Sequence, residues 1–167
     1  ETVVALQGMG ITPWLVTGDS SEVAASVATT VGIDAAHVVS HALPETKLEI
    51  VERMKSEGHT VLMIGDVIND AAALTAADLS MAMGTGTDTA INSADITLMN
   101  TGLGSVISAL KLSKKTLKII RLNMGWALIY NVIGIPIAAA GLLSPLYAAA
   151  AMAASSVLVV TNSLRIK

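Results

Sequence analysis

The 167-residue sequence predicts an α/β domain on parallel strands, followed by an α-helical transmembrane hairpin. Three observations carry that prediction. Short apolar runs alternate with helical patterns, the signature of parallel βαβ units. Two of these runs end in polar loops, Trp14-Leu15-Val16 in Thr17-Gly18-Asp19 and the run ending at Ile64 in Gly65-Asp66 through Asn69-Asp70. The chain then finishes in two uncharged stretches, Asn123 to Leu143 and Ser144 to Leu164, each about the 20 residues that a helix needs to cross a hydrocarbon core.

In chain order, a strand is predicted at Pro13 to Thr17 and a helix from about Ser21 to Val31. Asp19-Ser20-Ser21-Glu22 suits its start, because short polar side chains accept from the free amides of a first turn. A short extended piece at His37 to Val39 precedes a helix from about Glu45 to Glu57, closed by Gly58. Next come a strand at Thr60 to Ile64 and a helix opening near Asn69. A strand at Leu79 to Met83, a short helix around Asp88 to Ala94 and a strand at Ile96 to Leu98 complete the α/β part. From Leu103 an amphipathic segment carries Lys111, Lys114, Lys115 and Lys118 about one turn apart, like a stalk leading into the membrane. Gly141 to Pro145 supplies the turn between the two spans, and the Ala-rich run Ala148 to Ala154 reads as a close-packing helix face. The domains are therefore residues 1–118, a partial α/β domain with its stalk, and residues 119–167, the two membrane helices.

Charge is divided unevenly. All 13 acidic residues lie before residue 96, whereas Lys111, Lys114, Lys115, Lys118, Arg121, Arg165 and Lys167 lie beyond it. Basic residues flank the hairpin but are missing from its turn, so the positive-inside rule places both of its ends, and the acidic front, in the cytoplasm. With no cysteine, the chain supplies neither a disulfide nor a thiolate ligand. Nucleic acid is not an expected partner. The opening Glu1-Thr2-Val3-Val4-Ala5-Leu6 has no initiator Met and reads as a helix entered mid-domain, so the chain is expected to be the carboxyl part of something larger.

Carboxylates gathered in one loop repel by about 4 kcal/mol at about 4 Å near a surface, which suggests a cation, a shared proton or hydration. Asp66, closing its strand, is placed to hold Mg²⁺, the ion that phosphoryl sites use to neutralise developing charge. Asn69 and Asp70 follow on the next first turn, where they would orient a phosphate, the metal's waters and the loop; the same residues would equally cap a helix after a strand. Thr17 offers a hydroxyl and Gly18 an accessible amide to a phosphoryl oxygen, although Thr17-Gly18-Asp19 also suits an ordinary polar turn. Lys47, opening a helix behind Pro44, is either a mobile charge for an anionic intermediate or a solvated surface lysine.

Thr17-Gly18-Asp19, Pro44 with Lys47, and Gly65-Asp66 with Asn69-Asp70, in that order and spacing, resemble the later motifs of the haloacid-dehalogenase-like phosphorylation domain of P-type ATPases. Gly84-Thr85-Gly86-Thr87-Asp88 and Ala94-Asp95-Ile96-Thr97-Leu98 extend the resemblance. Within that family the tail is similar to the copper-transporting, heavy-metal pumps: Asn123-Met124-Gly125-Trp126-Ala127, Tyr130-Asn131, Ile135-Pro136, Met152-Ala153-Ala154-Ser155-Ser156 and Asn162-Ser163-Leu164-Arg165.

The resemblance implies a carboxyl part of an ATP-driven Cu(I) exporter of the plasma (inner) membrane, using Mg²⁺ and ATP in the intact pump. Thr17, Gly18, Asp19, Lys47, Asp66, Asn69 and Asp70 would do the phosphoryl chemistry, and Tyr130, Asn131, Met152 and Ser156 would bind Cu⁺. Met152 and Ser156, four apart, put a thioether and a hydroxyl on one helical face, and a thioether suits Cu(I) better than Mg²⁺, Ca²⁺ or Zn²⁺; the same residues also suit helix packing. Implied partners are the amino-terminal part of the same pump, the membrane and a copper chaperone. The alternatives are an Ag(I) or other heavy-metal pump, or a non-catalytic, membrane-anchored remnant. A zinc or cadmium pump is expected to carry a charged residue in the last helix, and Pro145 to Leu164 has none. The family's Asp-Lys-Thr-Gly and Cys-Pro-Cys motifs are missing from this chain, so alone it is expected neither to hydrolyse ATP nor to pump. Val67 stands where the family has Gly, Ser20 where it has Asn, and Ala72 where Pro is common.

Overall fold

A computed structural model describes every residue except Val67, Thr101, Leu142, Leu143, Ile166 and Lys167. The departure at Val67, which stands where Gly was expected, therefore lies outside the described residues. The chain divides into two units, Glu1–Ile107 and Ser108–Lys167.

In the first unit, helix α1 (Thr2–Gly8) leads to strand β1 (Leu15–Val16). Helix α2 (Ser21–Val31) starts where the sequence placed it. Its cap is Ser20, whose hydroxyl accepts from the Val23 N–H at 3.4 Å, and it buries Ala24 and Ala28, one turn apart. A 3₁₀ turn at Ala35–His37 precedes strand β2 (Val38–Val39), which runs parallel to β1 with Leu15 opposite Val38. Helix α3 (Pro44–Ser56) opens at Pro44, one residue earlier than expected, because the fixed φ of proline and its missing N–H suit a first turn.

Strand β3 (Leu62–Gly65), a 3₁₀ turn (Ile68–Asp70) and helix α4 (Ala71–Ala76) follow. Strand β4 (Leu79–Met83), helix α5 (Asp88–Ser93) and strand β5 (Ile96–Leu98) come next. Strand β4 lies between β3 and β5, parallel to both, with Leu62 opposite Leu79 and Met81 opposite Ile96. Being central, β4 is the most enclosed strand, and its Met81 and Ala82 join Leu74 of α4 in the core. The strands form two parallel sheets, β1-β2 and β3-β4-β5.

Helix α6 (Gly104–Ala139) runs without interruption for 36 residues from the expected stalk into the first expected span, with Pro136 inside it. Helix α7 (Pro145–Ser163) follows. Among the described residues, α6 alone is long and apolar enough to cross a membrane. The sequence predicted a second span from Ser144 to Leu164. The described apolar run there, Ala149–Ser163, is about 22 Å long at 1.5 Å per residue, short of a hydrocarbon core of about 30 Å. Within the second unit the Asn123 amide donates to Ser163 Oγ at 2.9 Å and Asn162 donates to Asn123 Oδ1 at 2.6 Å, pinning α6 to the end of α7.

Candidate functional site

Parallel strands present their carboxyl ends to one edge, where open α/β folds hold ligands. Here Thr17 directly follows β1 and Asp66 directly follows β3, and both residues line one open cleft of about 520 Å³. Lys47 from α3 and Asp70 from the 3₁₀ turn complete its polar wall, while Leu15, Val16, Ile64, Met83 and Leu103 form the apolar one. Four of the seven residues chosen from the sequence for phosphoryl chemistry thus meet at one place. The other three, Gly18, Asp19 and Asn69, are exposed and do not line the cleft.

Lys47 and Asp70 form an ion pair, Nζ to Oδ1 2.6 Å, with side chains only 14% and 6% exposed. The sequence offered Lys47 as a free charge and Asp70 as an orienter of phosphate and metal waters; in the structure each is directed to the other. Asp66 differs, because its side chain is exposed at the cleft. The Thr17 hydroxyl donates to Asp19 Oδ2 at 2.7 Å and accepts the Asp19 N–H at 3.2 Å. It is therefore closed in its own turn, and to donate to a phosphoryl oxygen it must release Asp19. The loop before α3 braces that turn, since His41 N–H donates to Asp19 O and Ala42 N–H to Thr17 O, each at 2.9 Å.

Two glycines that the sequence reading left without a role shape the loop around Asp66. A Cβ on Gly65 would stand 2.8 Å from Asp70 Cβ and 2.9 Å from its Oδ2, so only glycine lets Asp70 fold back beneath the strand end. A Cβ on Gly86 would meet Asp66 O at 2.7 Å, and the next amide, Thr87 N–H, donates to that same oxygen at 3.0 Å. The Gly84 to Thr87 loop therefore packs on the backbone of Asp66. The sequence signal was present in the Gly-Thr-Gly-Thr run; its partner was not.

The donor set suits Mg²⁺, which takes one or two carboxylates and completes its octahedron with water and phosphate oxygens. Asp66 supplies one exposed carboxylate, and among the described residues no group of three or more His, Cys, Asp or Glu forms an all-protein cage.

In the second unit, Tyr130 and Asn131 of α6 and Met152 and Ser156 of α7 are exposed, Met152 by 73%. Ser156 Oγ donates to the Met152 carbonyl one turn back at 3.1 Å, leaving its lone pairs open. Among the described residues no hydrogen bond joins the α6 pair to the α7 pair. The Asn123, Asn162 and Ser163 network is what ties these helices, and the amides bounding the apolar stretches were its sequence signal.

A sequence profile described as haloacid dehalogenase-like hydrolase matches residues 1–78. The chain is 53% identical over 165 residues to a cation-transporting P-type ATPase B of Mycobacterium bovis, covering 99% of this chain and 22% of that protein. It is 52% identical over 167 residues to a copper-exporting P-type ATPase of Mycobacterium tuberculosis, again 22% of that protein. The chain thus spans about a fifth of the length of these relatives. Among solved structures it resembles a zinc-transporting PIB-type ATPase in an E2.Pi state, with TM-score 0.89 and 32% identity over 99% of this chain and 27% of that one. It also resembles the catalytic domain of the CPx-ATPase CopB-B, with TM-score 0.60 and 38% identity over 64% of this chain and 41% of that one.

Proposed function

We propose, for a chain that is a homologue of the cation-transporting P-type ATPases along its whole length and carries their haloacid dehalogenase-like fold, that it is the carboxyl part of a Cu(I)-exporting pump. Residues 1–118 would make most of the phosphorylation domain with its stalk, and residues 119–167 a membrane hairpin with both ends cytoplasmic. The observation that carries the reading is the convergence of Thr17, Lys47, Asp66 and Asp70 on one cleft at the carboxyl ends of β1 and β3.

Each residue then has a task that its geometry allows. Asp66 would hold Mg²⁺, which when bound neutralises charge on the transferring phosphoryl group. Lys47 would meet the phosphoryl oxygens with its charge already positioned by Asp70. Thr17 would donate a hydrogen bond from its hydroxyl to a phosphoryl oxygen on leaving Asp19. The nucleophilic aspartate, missing from this chain, has room to enter: β1 and β3 flank the cleft, and each pairs on one side only among the described residues. ATP would be bound by the rest of the pump.

Cu(I) as cargo is supported by the thioether of Met152, soft enough to prefer it, and by a last helix without a charged residue from Pro145 to Leu164. Tyr130, Asn131 and Ser156 would complete the passage with oxygen and amide groups, and a copper chaperone would deliver the ion. Ag(I) shares this soft chemistry and is the second reading.

A chimera in which this chain replaces the matching part of the Mycobacterium tuberculosis relative tests the assignment. The parent chimera should form an acid-stable, hydroxylamine-sensitive phosphoenzyme from ATP, and Asp66→Asn should abolish it. Turnover of Asp66→Asn within about threefold of the parent, under about 1 kcal/mol in barrier, would reduce Asp66 to a helix-capping residue.

A further inference from the structure

Among the described residues His41 is the one non-glycine with a left-handed backbone, at φ 52°. Most side chains resist that region, glycine enters it freely, and Asn, Asp and His visit it several-fold more often than the rest. A residue stays there only where its surroundings hold it, and such residues gather at functional sites. His41 is exposed, and among the described residues its imidazole makes no hydrogen bond or ion pair, so the side chain does not hold it. The contacts of the backbone do.

Only Ser40 to Leu43 separate β2 from α3, and His41 makes the bend between them. Thr17 is bonded on both sides of that bend: its N–H donates to Val39 O and its carbonyl accepts from Ala42 N–H, each at 2.9 Å. His41 N–H itself donates to Asp19 O at 2.9 Å, and the Ser21 and Ser40 hydroxyls meet at 2.8 Å. The bend thus wraps the turn that carries Thr17. Directly after it, Leu43 O accepts from Lys47 N–H at 3.1 Å in the first turn of α3, so the same bend sets where Lys47 stands. Taking φ of His41 to a right-handed value of about −60° would swing the following chain by about 110° about one bond. With β2 held in its sheet, Ala42 would leave Thr17 and α3 would start in another direction.

We propose that His41 is a positioning residue for phosphoryl transfer, whose left-handed backbone holds Thr17 and Lys47 in register at the cleft. The inference rests on the reading that these two residues meet the phosphoryl group. The demand falls on φ and not on the imidazole, and this orders the substitutions. Glycine and asparagine satisfy it, alanine resists it, and a β-branched valine resists it most.

The test uses the chimera with the Mycobacterium tuberculosis relative. Rapid quench measures the rate of phosphoenzyme formation from ATP, beside the KM for ATP and the thermal midpoint. His41→Gly and His41→Asn should stay within about twofold of the parent rate. His41→Ala should be about threefold slower and His41→Val at least about tenfold slower. The KM for ATP should stay within about twofold throughout, because the rest of the pump would bind the nucleotide. Asparagine as slow as valine would make the imidazole the working part. Valine that keeps the parent rate, whether or not its thermal midpoint falls, would make the bend structural only. Either result overturns the positioning role and leaves the pump reading standing. Should the valine variant not fold, alanine against glycine decides, and equal rates overturn the role. A parent chimera that forms no phosphoenzyme overturns the pump reading, and the role of His41 with it.

Discussion

Lys47 Nζ lies 2.6 Å from Asp70 Oδ1, and this pair fastens α3 to the turn that carries Asp66 toward the cleft. Neither partner is well solvated, so each charge depends on the other. The contact also sets the two carboxylates apart. Asp70 is occupied by an ammonium and buried, which leaves Asp66 as the carboxylate open to the cleft.

Removing both members should therefore cost less than the two single losses added together. Lys47→Met leaves a buried carboxylate and Asp70→Asn a part-buried ammonium, each expected to lower stability by about 3 kcal/mol. The double variant should lose clearly less than the sum. Urea unfolding of the chain in detergent, followed by Trp14 fluorescence in a Trp126→Phe background, supplies the cycle. Additive losses would show that the pair is not coupled.

The turn beneath that pair depends on the missing side chain at position 65. Gly65→Ala drives a Cβ to 2.8 Å from Asp70 Cβ, and relief requires the turn to move. The expected cost is about 1–3 kcal/mol, together with loss of phosphoenzyme in the chimera. Gly8→Ala is the control, since a Cβ there meets nothing within 4 Å. It should be neutral or stabilising, because α1 then gains a better helix former. Equal behaviour of the two variants would remove Gly65 from the site.

The sequence was most legible where a local rule acts alone. Helix α2, strand β4 and strand β5 fall on the predicted residues because alternation, capping and apolar runs are properties of the segment itself. Asp66 and Thr17 were found in the same way, as polar residues ending apolar strands. What stayed hidden was pairing. Nothing near Lys47 says that its partner is 23 residues on, and nothing in the Gly84 to Thr87 run names the Asp66 carbonyl as its contact. The Asn123, Asn162 and Ser163 link was hidden for the same reason, since amides at the ends of apolar stretches also suit water.

Acid sensitivity should come from two other carboxylates. Asp95 is held below the ordinary carboxylate value by the Ser80 hydroxyl and N–H, which donate to its Oδ2 at 2.8 and 2.9 Å. Asp78 is held down by the Val61 N–H at 2.9 Å, partly offset by burial, and further by Lys55. With folded values depressed, the unfolded chain binds protons more readily. The stability these groups contribute is complete above about pH 4 and is lost as pH falls through the lower folded values. Thermal unfolding in detergent should show the midpoint falling below about pH 4, and Ser80→Ala should make that fall shallower. An unchanged slope in Ser80→Ala would show that the hydroxyl does not hold Asp95 down.

The membrane assignment turns on Met152. With Asn123 level with Asn162 and Ser163, an antiparallel course of α6 and α7 from that link, rising about 1.5 Å per residue, would bring Tyr130 level with Ser155 and Ser156 and put Met152 about one turn deeper. A passing soft ion would then meet Tyr130, Ser156 and Met152 in succession. Met152→Leu keeps size and apolarity, an exchange that usually costs under about 1.5 kcal/mol, so it removes the sulfur and little else. In the chimera it should weaken copper-stimulated turnover by about tenfold or more while membrane insertion stays intact, and Tyr130→Ala or Asn131→Ala should act alike. Met124→Leu, one residue after Asn123 and roughly two turns from Tyr130 along α6, should be silent. If Met152→Leu instead follows Met124→Leu across copper concentrations, the thioether of Met152 only packs, and the metal path does not run along α7.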